Sequence, residues 1–307
     1  MISADGRTNL IAGRWVEDLP KDGAAYWGSP KLPAELVNRI DDVVLEISRS
    51  SIIMRGGPLL FAILGLFCFF ACFLLLIKIA FPLDSEVIAV VFVFPVLLLG
   101  ASWIVFLLFK TDLGISSDRP VRFNSALKKI YVYEHSYSLN PFREWLVTVR
   151  VFDWSDVDAK IYCYKGFTGK VYMQRFSLWL IDRGRSDVSG CFQLMGNWPT
   201  TKEMHDAWDY CVEYMESGVS GVPACEPRNQ DVTFRRSLFH YMRMFDPAKD
   251  GEKMRSRMTA GDWSFNFPFL LLTFWLFLPM GVAHYFAMRF SPAVKWPKAV
   301  GNESLSN

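Results

Sequence analysis

Two stretches of the chain carry no charged side chain at all, residues 57–77 (GPLLFAILGLFCFFACFLLLI) and residues 87–109. Neither keeps the polar face that a helix on the surface of a water-soluble protein would show. At about 1.5 Å of rise per residue, either run covers roughly 31 Å or more, the thickness of a bilayer's hydrocarbon core. Arg55 and Lys78 frame the first run, Glu86 and Lys110 the second. Pro95 inside the second is acceptable, because spanning helices tolerate proline better than soluble ones do. Only residues 78–86 join the two runs, so a tight antiparallel hairpin is expected. A third candidate, residues 265–286, is interrupted by Asn266, Pro268, Pro279 and His284. The first apolar run starts only after residue 56, too late for a signal peptide.

Loop charge sets an expected orientation. Seven Lys and Arg precede the first run, one lies in the short connection, and the region after the second run is densely basic. The N-terminus and the central region are therefore expected in the cytoplasm, with the hairpin tip outside. Arg235, Arg236, Arg243, Lys249, Lys253, Arg255 and Arg257 precede the third segment, whereas Arg289, Lys295 and Lys298 follow it. That imbalance favours one crossing with the tail outside. The break at Pro279-Met280-Gly281 leaves the alternative of a re-entrant segment that returns the tail inside.

Residues 1–55 read as a cytoplasmic arm, punctuated at first by Gly6, Gly13, Pro20, Gly23, Gly28 and Pro30. From Pro33 on, Leu36, Val37, Ile40, Val43, Val44 and Ile47 recur with helical spacing, which predicts an amphipathic helix. Between Pro120 and Met195 the period changes to two, and six or seven short antiparallel strands are expected there. KIYVYE (129–134) and the alternation of Trp145, Val147, Val149 and Val151 are the clearest of them, with further strands at 158–164, 170–174, 176–182 and 190–195. Turns are expected at Asn140-Pro141, 166–169 and 183–187. Thr200 and Glu203 then have capping-box spacing, and Met204, Ala207, Trp208, Cys211, Val212 and Met215 form one apolar stripe, predicting a helix over 201–217 closed by Gly218. Residues 234–245 are basic on one side and aromatic on the other, which suits the headgroup layer as well as a packed helix.

The expected fold class is an α+β membrane protein with an N-terminal transmembrane hairpin, a cytoplasmic antiparallel β-sandwich or barrel of pleckstrin-homology-like order capped by one helix, and a C-terminal membrane segment. Its divisions are an arm (1–55), the hairpin (56–110), a β-rich domain (111–220), a basic juxtamembrane region (221–263), the third segment (264–287) and a tail (288–307). A mean hydropathy of +0.18 alongside 64 charged residues fits such segregation between lipid and water. The net charge of +2 offers no support for a nucleic-acid partner.

Catalytic signatures are missing from the sequence. His135, His205, His240 and His284 stand at no metal-ligand spacing, and the chain holds no GxSxG, GxxxxGK[ST] or GxGxxG. The trio Asp153, Asp156 and Asp158 around Trp154 lacks the glycine turn and distal Glu of a calcium loop, so it reads as a turn beside a buried Trp. The apolar runs of the hairpin lack ionisable groups, which argues against a pump or proton relay. No enzyme activity, cofactor or metal is expected; Cys68 and Cys72 read as packing residues of the first apolar run, and Cys163, Cys191, Cys211 and Cys225 are expected as free thiols on the reducing side.

Several short motifs occur in one order: Arg122-Phe123-Asn124, KIYVY at 129–133, Trp154-Ser155-Asp156-Val157, FQLMG at 192–196, WDYCVEYMESG at 208–218 and Lys295-Trp296-Pro297. This order resembles an uncharacterised family of bacterial inner-membrane proteins encoded beside type VI secretion effectors and their spike proteins, over roughly residues 55–300. The family's Arg-rich WEYIRRYMEEG helix is replaced here by WDYCVEYMESG, so a basic contact there does not carry over. Within the motifs, Arg122, Phe123, Asn124, Trp154, Asp156, Trp208, Tyr214, Met215, Glu216, Gly218, Trp296 and Pro297 are the family positions. The resemblance implies an immunity or accessory protein that binds a cognate secreted effector or a spike protein. Membrane lipids are the other expected partner, and self-association into an oligomer is open. A lipid-binding adaptor is the alternative, and a small transporter or channel the weakest reading. Tyr131, Tyr133, Trp145, Tyr162 and Trp179 are the candidate interface aromatics on the β-unit, unless they face its core.

Overall fold

The computed structural model describes residues 13–21, 30–50, 55–80, 85–140, 142–167, 172–185, 190–256 and 258–303. The expected punctuation at Gly6, Gly23 and Gly28, the turn residues 168–169 and 186–187, and positions 81–84 of the hairpin connection lie outside them. In chain order the strands and helices are β1 (Arg14–Leu19), β2 (Val37–Ile40), β3 (Val44–Ile47), α1 (Gly57–Ala80), α2 (Ser85–Leu113), β4 (Val121–Asn124), β5 (Lys129–His135), β6 (Val147–Asp153), β7 (Val157–Phe167), β8 (Tyr172–Asp182), β9 (Cys191–Trp198), α3 (Lys202–Ser217), α4 (Phe234–Leu238), α5 (Lys249–Arg255), α6 (Ala260–Phe290) and α7 (Lys298–Glu303). The fold class is α+β, with two antiparallel sheets, β1-β7-β8-β9 and β2-β3-β4-β5-β6. Three helices are long and apolar enough to cross a membrane, over Gly57–Leu75, Pro95–Leu113 and Phe267–Phe290, as befits a membrane protein.

The amphipathic helix expected after Pro33 is instead the hairpin β2–β3. Val37, Ile40, Val43, Val44 and Ile47 are β-branched, which suits a pleated surface better than a helix. Asp41 fixes the turn, its carboxylate accepting from the Val43 and Val44 amides at 3.1 and 2.8 Å. The described strands of the arm expected over 1–55 join the sheets: β1 extends the smaller sheet beside β7, and β2–β3 complete the larger one beside β4. Of the six or seven strands expected between Pro120 and Met195, the six named runs form β5 to β9, those at 170–174 and 176–182 merging into β8, and β4 is a further strand not among those runs.

One core joins both sheets and α3. Leu45, Ile47, Val121, Phe123, Ile130 and Val132 come from the larger sheet, Ile161, Leu178, Leu180 and Phe192 from the smaller, and Met204, Trp208, Cys211 and Met215 from α3. The stripe read from the helix is the face that is buried. Thr200 does bond Glu203, although the residue before the first turn is Thr201, whose side chain makes no cap.

The hairpin α1–α2 is an insertion between two paired strands. Ile47 of β3 lies opposite Val121 of β4, so both legs leave the same end of the larger sheet. A polar knot holds that exit. The first amides of a helix have no partner inside it, and Asp112 of α2 supplies one for α1, accepting from Gly56 N at 3.1 Å and Leu59 N at 2.8 Å. Arg55 lies 3.9 Å from Asp112 and donates to the carbonyls of Thr111, Asp112 and Ser116. Gly56 has φ +83°, and a Cβ there would meet the backbone of His284 at 2.4 Å, so only glycine fits. Below the knot, buried Arg49 donates to the carbonyls of Arg119 (2.7 Å) and Tyr133 (2.8 Å), and Asp118 collects Arg49 N, Asn38 and Arg228. Burial brings the Arg49 pKa down to about 10, against the pull of Glu134, so it stays cationic at neutral pH.

Breaking one side of a buried ion pair leaves the other charge uncompensated. Arg55→Ala is therefore expected to cost about 3–5 kcal/mol, read by denaturant unfolding in detergent micelles. Arg55→Ala/Asp112→Ala should cost less than the sum of the single changes. Equal stability of Arg55→Ala and the parent would contradict the assignment.

Candidate functional site

Strand alternation decides what the candidate aromatics do. In β5, Ile130 and Val132 point into the core, so Tyr131 and Tyr133 point out of the larger sheet. Both are nonetheless buried. The C-terminal tail covers them: the Trp296 ring meets Tyr133 edge-on at 5.3 Å, and Glu303 of α7 accepts from the Tyr131 hydroxyl at 3.1 Å and pairs with Lys129 at 2.9 Å. Arg122, beside Tyr131 in the register, lays its guanidinium over the Trp296 ring at 4.2 Å and pairs with Glu46 at 2.5 Å. Tyr131 and Tyr133 are therefore not free docking anchors. The tail, placed by loop charge across the membrane from this domain, rests on it.

Tyr162 and Trp179 face outward from the smaller sheet, where they pack together with Ile181 and Cys191. Tyr162 is buried within that cluster, Trp179 is half-buried, and Trp15 of β1, paired with Tyr162, is 45% exposed. The indole N–H of Trp15 donates to Asp18, which also lies 3.6 Å from Lys160. Trp145 belongs to neither face. It sits in the β5–β6 loop beside α2, its N–H donating to the Ser138 carbonyl and the Lys110 ammonium 5.0 Å above its ring. Phe142 of that loop stacks on Phe106 and meets Trp103 edge-on, both at 5.8 Å.

The motif residues meet in space, and what they build is architecture. Trp154 packs on Trp208 with rings 5.3 Å apart and takes Phe123 edge-on at 6.4 Å. Trp208 donates to the Pro20 carbonyl, and the Tyr214 hydroxyl to the Asp41 carbonyl. Asn124 is fully buried and caps its turn by accepting from Leu127 N at 2.6 Å. Lys128 donates to the carbonyl of the buried Met215. Gly218, at φ +70°, ends α3 by donating to the Tyr214 carbonyl. Glu216 and Pro297 are exposed, and the Pro297 carbonyl accepts from Gly301 N. Of the acidic trio, Asp156 bonds Ser155 in a single 3-10 turn, and Asp158 pairs with Arg183 at 2.8 Å. Among the described residues no three His, Cys, Asp or Glu side chains gather as a metal site.

Sequence reasoning missed Arg49, Arg55, Asp112 and Asp118. Arg55 was legible only as a charge flanking a membrane run. Its opposite sign to Asp112, at the matching end of the second run, was the available signal.

Tail docking sets a pH dependence. Hydrogen bonds from Lys129 and Tyr131 hold the Glu303 carboxyl below the usual carboxylate range. Its contribution is present above the free-carboxylate pKa and is lost as pH falls through the lowered docked value. A spin label at N302C should be immobilised at neutral pH and become mobile at that low pH, whereas Trp296→Ala should free it throughout. A label already mobile at neutral pH would contradict the docking.

Residues 89–307 match the model of a family of unknown function, DUF6708. The match starts within α2 and takes in the outer-face tyrosines, α3, α6 and the tail. No curated protein and no solved structure matches the chain. The protein belongs to the DUF6708 family.

Proposed function

We propose that this is a membrane-anchored binding protein of the bacterial inner membrane that acts by holding a partner protein, without catalysis. By its resemblance to proteins encoded beside type VI secretion effectors, the partner is a cognate effector or spike protein, and the role is immunity or an accessory task in delivery. The observation that carries the reading is the outer face of the smaller sheet, where Trp15 is 45% exposed next to the Tyr162–Trp179 cluster. Aromatic anchors of that kind dominate binding energy at protein interfaces. The polar knot at the hairpin supports the reading too, because it presents that face in a fixed attitude to the bilayer.

A second reading, a lipid-binding adaptor on a pleckstrin-homology-like module, is favoured by Leu139 and Phe142, 84% and 78% exposed beside α2. One experiment separates the two. The tagged full-length protein is cross-linked in its native membranes, recovered and analysed by mass spectrometry. Enrichment of a neighbouring toxin, reduced about tenfold by Trp15→Ala (about 1.4 kcal/mol of binding), is the expected result. Spike proteins alongside would favour the accessory role. Recovery of lipid and the protein alone would overturn the first reading in favour of the second, and a toxin that kills equally with and without this protein would remove the immunity role.

A further inference from the structure

We infer that α6, although long and apolar enough to cross a bilayer, lies along the membrane surface and returns both of its ends to the side of the β-domain. The inference begins with the chain that leads into α6. Arg228 N donates to the Val37 carbonyl and its guanidinium pairs with Asp118, so residue 228 is fastened to the larger sheet. Tyr241 then donates to the Arg55 carbonyl at 2.6 Å, and Arg243 approaches Glu35 at 3.9 Å. Among the described residues from 228 to 259 the longest helix is α5, with seven residues. Seven residues rise about 10 Å, a third of a hydrocarbon core, and non-helical backbone does not cross lipid. This stretch also carries Lys249, Asp250, Glu252, Lys253 and Arg255. Ala260 therefore starts α6 on the domain's side.

The other end is fixed independently. Directly after α6, the Pro292 carbonyl accepts from Ser117 N, Trp296 lies on Tyr133 and Arg122, and Glu303 bonds Lys129 and Tyr131. Between these ends the helix runs unbroken through Pro268 and Pro279. A single unbroken helix with both ends on one side of a bilayer cannot span it.

The packing of α6 agrees. The segment from α4 to Phe245 tracks it between His284 and Phe267: Gly281 lies against the Leu238 backbone, where a Cβ would meet the carbonyl at 2.3 Å, the His240 ring stacks on His284 at 4.2 Å, Tyr241 meets Phe277, and Phe245 meets Phe267. Among the described residues its buried contacts with the hairpin lie at the hairpin's domain end, where Ala283 and Ala287 meet Leu59, Leu60, Ile63, Phe109 and Leu113. Away from this face, Leu271, Leu272 and Trp275 are 63%, 73% and 74% exposed. The occupant of that apolar face is the acyl layer just beneath the headgroups, since α6 packs on the base of the apolar hairpin and Lys249, Arg255, Arg289 and Lys295 stand at its two ends in the sequence.

The test uses full-length cysteine-free protein with single cysteines returned, in proteoliposomes captured by an antibody fragment against the β-domain. A membrane-impermeant maleimide should label G261C and N302C as fully as the domain reference K202C, while S85C at the hairpin tip reacts only after detergent. Protection of G261C or N302C would overturn the inference. A spin label at L272C provides a second readout through its depth: about 5–10 Å below the headgroup boundary is expected for a surface helix, and a position at the bilayer centre would overturn it.

Discussion

The carboxylate of Asp112 does two jobs at one point, and the rest of the molecule is organised around it. It satisfies the first amides of α1, and it faces the buried guanidinium of Arg55. Helix starts left without acceptors are costly in a low-dielectric setting. Supplying the acceptor from the partner helix closes the hairpin at its base and fixes the relation of α1 to α2 without help from lipid. Because Arg55 also reaches the carbonyls of residues 111, 112 and 116, the same knot ties the hairpin to the loop that enters β4. The hairpin is consequently an elongated β3–β4 connection, anchored in the sheet on both sides.

Much of this was legible in the sequence wherever a single period dominated. The two uncharged runs, the alternation in β5 and β6, and the stripe of α3 each carry one unmistakable pattern. The reading failed where two patterns coincide. Leu36, Val37, Ile40, Val43, Val44 and Ile47 fit helical spacing, yet four residues either side of an Asp-Asp turn cannot show strand alternation clearly. Local chemistry decided there, through β-branching and the Asp41 turn. The candidate aromatics failed for a different reason. Alternation alone left open whether Tyr131 and Tyr133 face the core or the surface; only tertiary structure reveals that they face outward and that residues 296–303 return to cover them.

Several of the motifs that carried the family resemblance turn out to be mutual partners: Arg122 with Trp296, Trp154 with Trp208, Phe123 with Trp154. Residues that hold a fold together recur in a fixed order for that reason alone, so they say little about a ligand. Function is better sought at positions the architecture leaves over. Trp15 on the smaller sheet and the apolar face of α6 are two such surfaces, both left exposed.

Rigid attachment of hairpin to sheet is the claim on which these readings converge, and hydrogen exchange on the full-length protein in lipid nanodiscs tests it most directly. The amides of Arg49, Gly56 and Leu59 and of Ser117 to Arg119 should exchange as slowly as those in the centre of β3 and β4. Exchange at the rate of an unstructured linker at these junctions would contradict the account, because the domain would then hang from the membrane on a tether.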